Sequence, residues 1–101
     1  MKLPPNTGSM HVRLSSVAEA DLDTIFEFIA RDDEVSARRT IDSLLASIYY
    51  LERFPLLGRP GRVEGTRELK VPRIPYLIVY SIPDPLQLDV QTIIHTKRQY
   101  P

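Results

Sequence analysis

The chain closes on "IIHTKRQYP", which gathers His95, Lys97, Arg98 and Tyr100 at the end of an apolar run. A histidine beside fixed positive charge can serve as a general base or a phosphate contact. A surface histidine at a strand end is the plainer reading, and spacing alone favours it. A second group of cations, Arg59, Arg62, Arg67, Lys70 and Arg73, falls within fifteen residues and is opposed only by Glu64 and Glu68. Such a patch suits phosphates or a carboxylate-rich protein segment, and a solvated loop with an edge strand explains it equally well. Arg67 stands apart from the rest. It is in phase with apolar Leu69 and Val71, so it needs an acceptor to offset its desolvation. Either a site role or an ion pair to an acidic residue of the helices would supply one.

Other chemistry is excluded by residue type. There are no cysteines, which removes thiolate nucleophiles, disulfides and the usual zinc motifs. No phosphate-binding glycine loop, metal-ligand spacing or serine nucleophile motif occurs, and no cofactor is expected. The five tyrosines suit core and rim packing better than base stacking, Tyr100 excepted.

The elements that must position these side chains follow from periodicity. A chain of 101 residues supports one hydrophobic core. At 43% hydrophobic and 26% charged it has an ordinary globular composition, and no stretch has the apolar length of a membrane span. Residues 1–9 resemble an appended leader, with "GS" preceding a native start at Met10, so the domain is expected over 10–101. Charge is asymmetric: residues 10–54 hold five Lys/Arg against nine Asp/Glu, and residues 55–101 hold seven against four. A neutral protein can thereby present a positive surface to an acidic partner.

"MHVRLSS" reads as an edge strand, and Ser16 with Glu19 fits a capping box that starts a helix. Ala18, Leu22, Ile25, Phe26 and Ile29 give that helix one apolar stripe. Asp32 or Asp33 caps a second helix, whose stripe is Ala37, Ile41, Leu44, Leu45, Ile48 and Leu51 and which ends at Phe54 before Pro55. "PLLGRPGRVEGT" reads as a loop exposing Arg59 and Arg62. "TRELKV" alternates, "YLIVYSI" suits a central strand covered on both faces, and "LQLDVQTIIH" alternates. That last pattern puts Leu86, Leu88, Val90 and Ile94 on one face and Gln87, Asp89, Gln91, Ile93 and His95 on the other. The expected fold is α+β: an N-terminal strand, an antiparallel helical hairpin, then a three-strand antiparallel meander with the helices packed on one face of the sheet.

The segments "AEADLDTIFEFIA", "LERFP", "GRPGRVEGTRELKV", "PYLIVYSI" and "IIHTKRQYP", in this order, resemble the RelE/ParE superfamily of bacterial toxin components. The resemblance covers nearly all of residues 12–101. It implies a small cytoplasmic toxin, bound and blocked in a hetero-oligomer by an antitoxin encoded beside it. The antitoxin is expected to lay an acidic, amphipathic segment across the helical hairpin and the basic sheet. Two mechanisms occur on this fold. RelE-like members cut messenger RNA in the ribosome, whereas ParE-like members poison DNA gyrase. RelE-like nucleases commonly carry Arg directly after the first tyrosine of a "Y-R-x-x-Y" strand, and here that position is Leu77, which favours the ParE-like branch. The nuclease reading stays open as the alternative, in which Arg67, His95 and Arg98, together with Arg73, could form a catalytic site by another arrangement. On the gyrase reading Arg59, Arg62, Lys70, Arg73, Lys97, Arg98 and Tyr100 are contacts to target or antitoxin. A third reading is an inactive relative that binds its antitoxin and tunes its own operon.

Overall fold

The computed structural model describes residues 10–97. The element order is β1 (His11–Leu14), α1 (Ser16–Ala30), α2 (Glu34–Arg53), β2 (Arg59–Pro60), β3 (Thr66–Lys70), β4 (Tyr76–Asp84) and β5 (Gln87–His95). The strands form one sheet in the order β1-β5-β4-β3-β2. β1 lies parallel to β5 and the other pairs are antiparallel. The meander and the helical hairpin are as the periodicity predicts.

Four local details differ from the pattern, each for a physical reason. The first helix is capped by Ser15 instead of Ser16. The Ser15 hydroxyl accepts the Ala18 N–H at 3.0 Å and donates to the Gln91 carbonyl at 2.7 Å. One oxygen therefore closes the helix and fastens it to β5, which Ser16 is not placed to do. Second, Arg59–Pro60 is not loop but a two-residue edge strand, with Arg59 opposite Glu68 and Pro60 opposite Arg67. An edge tolerates proline because no further strand needs its missing N–H. Third, Leu45 leaves the core stripe and is exposed, while Ala37, Leu44, Ile48 and Leu51 are buried.

The fourth difference changes the face on which a candidate residue sits. Val79 is opposite Thr92 while its neighbour Tyr80 is opposite Val90, so Gln91 is an extra residue in β5. This bulge flips the alternation. Leu88 and Val90 share their face with Ile93 and His95, and Ile94 turns to the other side. The Asp21 carboxylate of α1 secures the bulge, accepting the Thr92 hydroxyl at 2.6 Å and the Ile93 N–H at 2.9 Å.

Both helices cover one face of the sheet. There Ala18, Ile25, Leu44, Ile48 and Leu51 pack with Tyr76, Ile78, Tyr80, Leu88, Val90 and Ile93. A fully buried leucine or isoleucine of this kind contributes about 1.5–3 kcal/mol. β4 is not covered by helices on both sides as its composition suggests. Its second face holds a small apolar cluster of Leu77 and Val79 with Ile94 of β5, flanked by polar side chains of β3. Asp33 caps α2 by accepting the N–H groups of Val35 and Ser36 and the Ser36 hydroxyl. The Ser36 side-chain bond, followed by its backbone bond, holds this exposed carboxyl below the usual aspartate range.

Candidate functional site: a basic cleft on the helix-free face

Strand register decides which cations meet. On the face away from the helices, Glu68 lies beside Arg59 on one strand and Val79 on the other, and Lys70 lies beside Leu77. Arg59, Glu68, Lys70 and Leu77, with Leu57, Arg62, Leu69 and Thr96, line an open cleft of about 440 Å³. Its floor at Leu77 is apolar and nearly buried, and its rim is cationic.

Glu68 is the one charged residue of the buried class among the described residues, at 4% exposure. A carboxylate in that position requires paired donors. It accepts the Arg62 backbone N–H at 2.9 Å, and the Arg62 guanidinium lies 3.8 Å from its other oxygen. The arginine loop is thereby folded back over β3. Arg59 and Lys70 are exposed, and their side chains make no hydrogen bond or ion pair among the described residues.

The loop that brings Leu57 and Arg59 to the cleft is held from the helix side. The buried Tyr80 hydroxyl donates to the Pro55 carbonyl at 2.7 Å and accepts the Gly58 N–H at 2.9 Å. Arg67 donates through Nε to the Gly58 carbonyl at 2.9 Å and through Nη2 toward the Leu56 carbonyl at 3.4 Å. The acceptors that Arg67 requires are therefore loop carbonyls, and not an acidic residue of the helices. Gly58 is needed for this close approach, because a Cβ there would come within 2.7 Å of the Tyr80 hydroxyl and 2.9 Å of the Glu68 carbonyl.

His95 lies on the helix side of the sheet. Its ring meets Tyr76 edge to face at 5.3 Å between centroids, and its Nδ1 accepts the Lys97 N–H at 3.1 Å. Burial pushes the Tyr76 hydroxyl above its ordinary value. Asp21, Thr24, Ile25 and Phe28 of α1 complete a shallow pocket around the pair. Arg67 pairs with Tyr80 and His95 with Tyr76, four residues apart along β4 and two strands apart across it. At ordinary strand spacings their backbones are roughly 16 Å apart, so the two do not converge on one reacting atom. Arg73 is exposed in the β3–β4 turn at φ 72°, the left-handed region. Lys97 is exposed in a turn, and Arg98 and Tyr100 lie outside the described residues.

Of the candidates, Arg59, Arg62 and Lys70 are brought together, and Arg67 serves them indirectly. Sequence reasoning missed Glu68, Tyr80 and Leu57. For Glu68 a signal existed, since its phase places it opposite a strand of nearly continuous apolar residues.

The family model described as "ParE toxin of type II toxin-antitoxin system, parDE" matches residues 12–100. The chain belongs to the ParE toxin family. The toxin is also similar to the Sinorhizobium fredii protein named "Putative toxin Y4kP", at 36% identity over 80 residues, spanning 79% of this chain and 81% of that protein. Among solved structures, the chromosomal ParDE toxin-antitoxin system of P. aeruginosa matches with a TM-score of 0.79 at 20% identity, over 90% of the toxin and 100% of that chain. The RelBE2 toxin-antitoxin complex of Mycobacterium tuberculosis matches with a TM-score of 0.65 at 23% identity, over 86% and 98%. These likenesses establish a fold common to both branches. Among the described residues no helix is long and apolar enough to cross a membrane.

Proposed function

We propose that this type II toxin arrests growth in the cytoplasm by poisoning DNA gyrase, and that a cognate antitoxin neutralises it by binding. The observation that carries the reading is Leu77. The position at which RelE-like nucleases commonly carry arginine opens on the cleft floor, and here it is an aliphatic side chain beside Ile94 and Val79. A phosphodiester transition state bound there would lack a charge-assisted donor, a loss of about a hundredfold or more in rate. The separation of Arg67 from His95 supports the same reading. A protein contact needs neither a nucleophile nor a general base, only a surface.

The ParDE and RelBE2 relatives are toxin-antitoxin assemblies, which supports an antitoxin partner for this chain. Exposed Leu45, Tyr49 and Tyr50 on α2, with Phe54 at its end, offer such an inhibitor an apolar seat. Lys97, Arg98 and Tyr100 remain contacts of the tail on this proposal, and Arg98→Ala is expected to weaken toxicity at equal expression. Unchanged growth arrest in that variant would remove the tail from the mechanism.

The test is induction of the toxin without antitoxin in a bacterial host. Gyrase-linked chromosome breaks with intact messenger RNA are expected. Codon-linked RNA cuts without such breaks would overturn the reading, and normal growth would point to the inactive relative.

A further inference from the structure

We infer that the cleft on the helix-free face is a docking site for a short acidic segment of the toxin's protein target, with one apolar side chain seated against Leu57 and Leu77 and carboxylates on Arg59 and Lys70. This rests on the reading of the target as a protein and names the surface that engages it. Leu57 is 55% exposed, beside two exposed cations whose side chains have no partner among the described residues. Glu68 does not cancel them, because its carboxylate is already committed to the Arg62 backbone and guanidinium. The cleft is thus apolar at its floor and positive at its rim, which complements an acidic segment carrying one aliphatic anchor.

The apolar floor favours a peptide over a nucleic acid: Leu57 and Leu77 offer a seat to an aliphatic side chain, and among the described residues no aromatic side chain lines the cleft on which a base would stack. A cleft of about 440 Å³ admits one side chain and its charged flanks, and its exposed cations make the contact sensitive to salt. The exposed apolar side chains of α2, Leu45, Tyr49 and Tyr50, leave an inhibitor a separate seat.

The geometry also explains why the loop is so heavily fastened. Tyr80 and Arg67 fix residues 55–58 from the opposite side of the sheet, so Leu57 and Arg59 are presented with little entropy left to lose on binding.

The experiment is a titration of isotopically labelled toxin, followed by amide NMR, with two probes. One is a short synthetic peptide of aspartates and glutamates around a central leucine, and the other is a single-stranded oligonucleotide. Peptide-induced shifts are expected at residues 57–59, 70 and 77, weakening with salt. In the double variant Arg59→Gln, Lys70→Gln the affinity should fall about tenfold or more. Both positions are exposed and glutamine places no second negative charge opposite Glu68, so the variant should melt with the wild type. Leu57→Ser supplies an independent variant with the charges intact, and it too should bind the peptide more weakly. Shifts confined to the helical hairpin, an oligonucleotide that binds the cleft more tightly than the peptide, or no peptide binding at millimolar concentration would each overturn the proposal. A parallel gyrase assay separates the two readings. Gyrase poisoning by wild type and double variant alike would remove the cleft and leave the target in place. Peptide binding in the cleft without gyrase poisoning would remove gyrase and leave the acidic-segment site.

Discussion

The two faces of the sheet are built from alternate residues of the same strands, yet they are specified by different forces. The helix-covered face is held by volume: Leu44, Leu51, Ile78, Tyr80, Leu88 and Val90 are essentially without solvent exposure, and each is fixed by its neighbours. The open face has one small apolar cluster and is organised around a carboxylate and its cations. Burial of this kind fixes a shape, whereas exposed charge without a partner leaves a surface that can still form contacts. The fold and the proposed activity therefore draw on adjacent residues of a single strand, Tyr76, Ile78 and Tyr80 for one and Leu77 for the other.

The largest expected effect tests whether the asymmetry is real. Leu88→Ala should cost about 2–5 kcal/mol of stability in urea denaturation, and Leu77→Ala distinctly less, since Leu77 borders an open cleft. Equal losses would mean that the open face is core as well. Next comes the link between the faces. Tyr80→Phe strips the Gly58 N–H and the Pro55 carbonyl of their shared partner, at about 1–3 kcal/mol. Hydrogen exchange at Gly58 should accelerate, and protected exchange there would show that Tyr80 does not hold the loop. A smaller change is expected at Arg73. Glycine is at ease at φ 72° but more flexible when unfolded, so Arg73→Gly should shift stability by less than about 1 kcal/mol. Toxicity lost in that variant at an unchanged melting temperature would assign the guanidinium a contact. The smallest effect lies far from both faces, at Asp33. Its folded pKa is lowered beneath the ordinary 3.8, so its stabilisation is complete above that value and is lost as pH falls through the lowered one. Melting temperatures of wild type and Asp33→Asn should converge toward acid over this window, and parallel curves would contradict the assignment.

The helices were legible because their stripes are long and their caps are short-range chemistry. Ser15 rather than Ser16 was not, because the choice depends on a carbonyl of β5 that sequence spacing cannot place. The face of His95 was misread for a related reason. "LQLDVQTIIH" alternates well enough to conceal the bulge at Gln91, and the group that secures the bulge, Asp21, comes from a helix some seventy residues earlier. The cations of the cleft were visible as a cluster, but their division between faces was only partly so. Arg67 stood out by its phase, and the partners it found were backbone carbonyls, which no residue-type argument could single out. Leu77 was noticed by resemblance, and strand register then placed it on the floor of the cleft.

The most direct test of the account combines both of its parts in one assay with purified gyrase and supercoiled DNA. Wild-type toxin should accumulate gyrase-linked DNA breaks, and Arg59→Gln, Lys70→Gln should lose them at an unchanged melting temperature. Equal breakage by the two proteins would contradict the role of the open face, and the absence of breakage by either would contradict gyrase as the target.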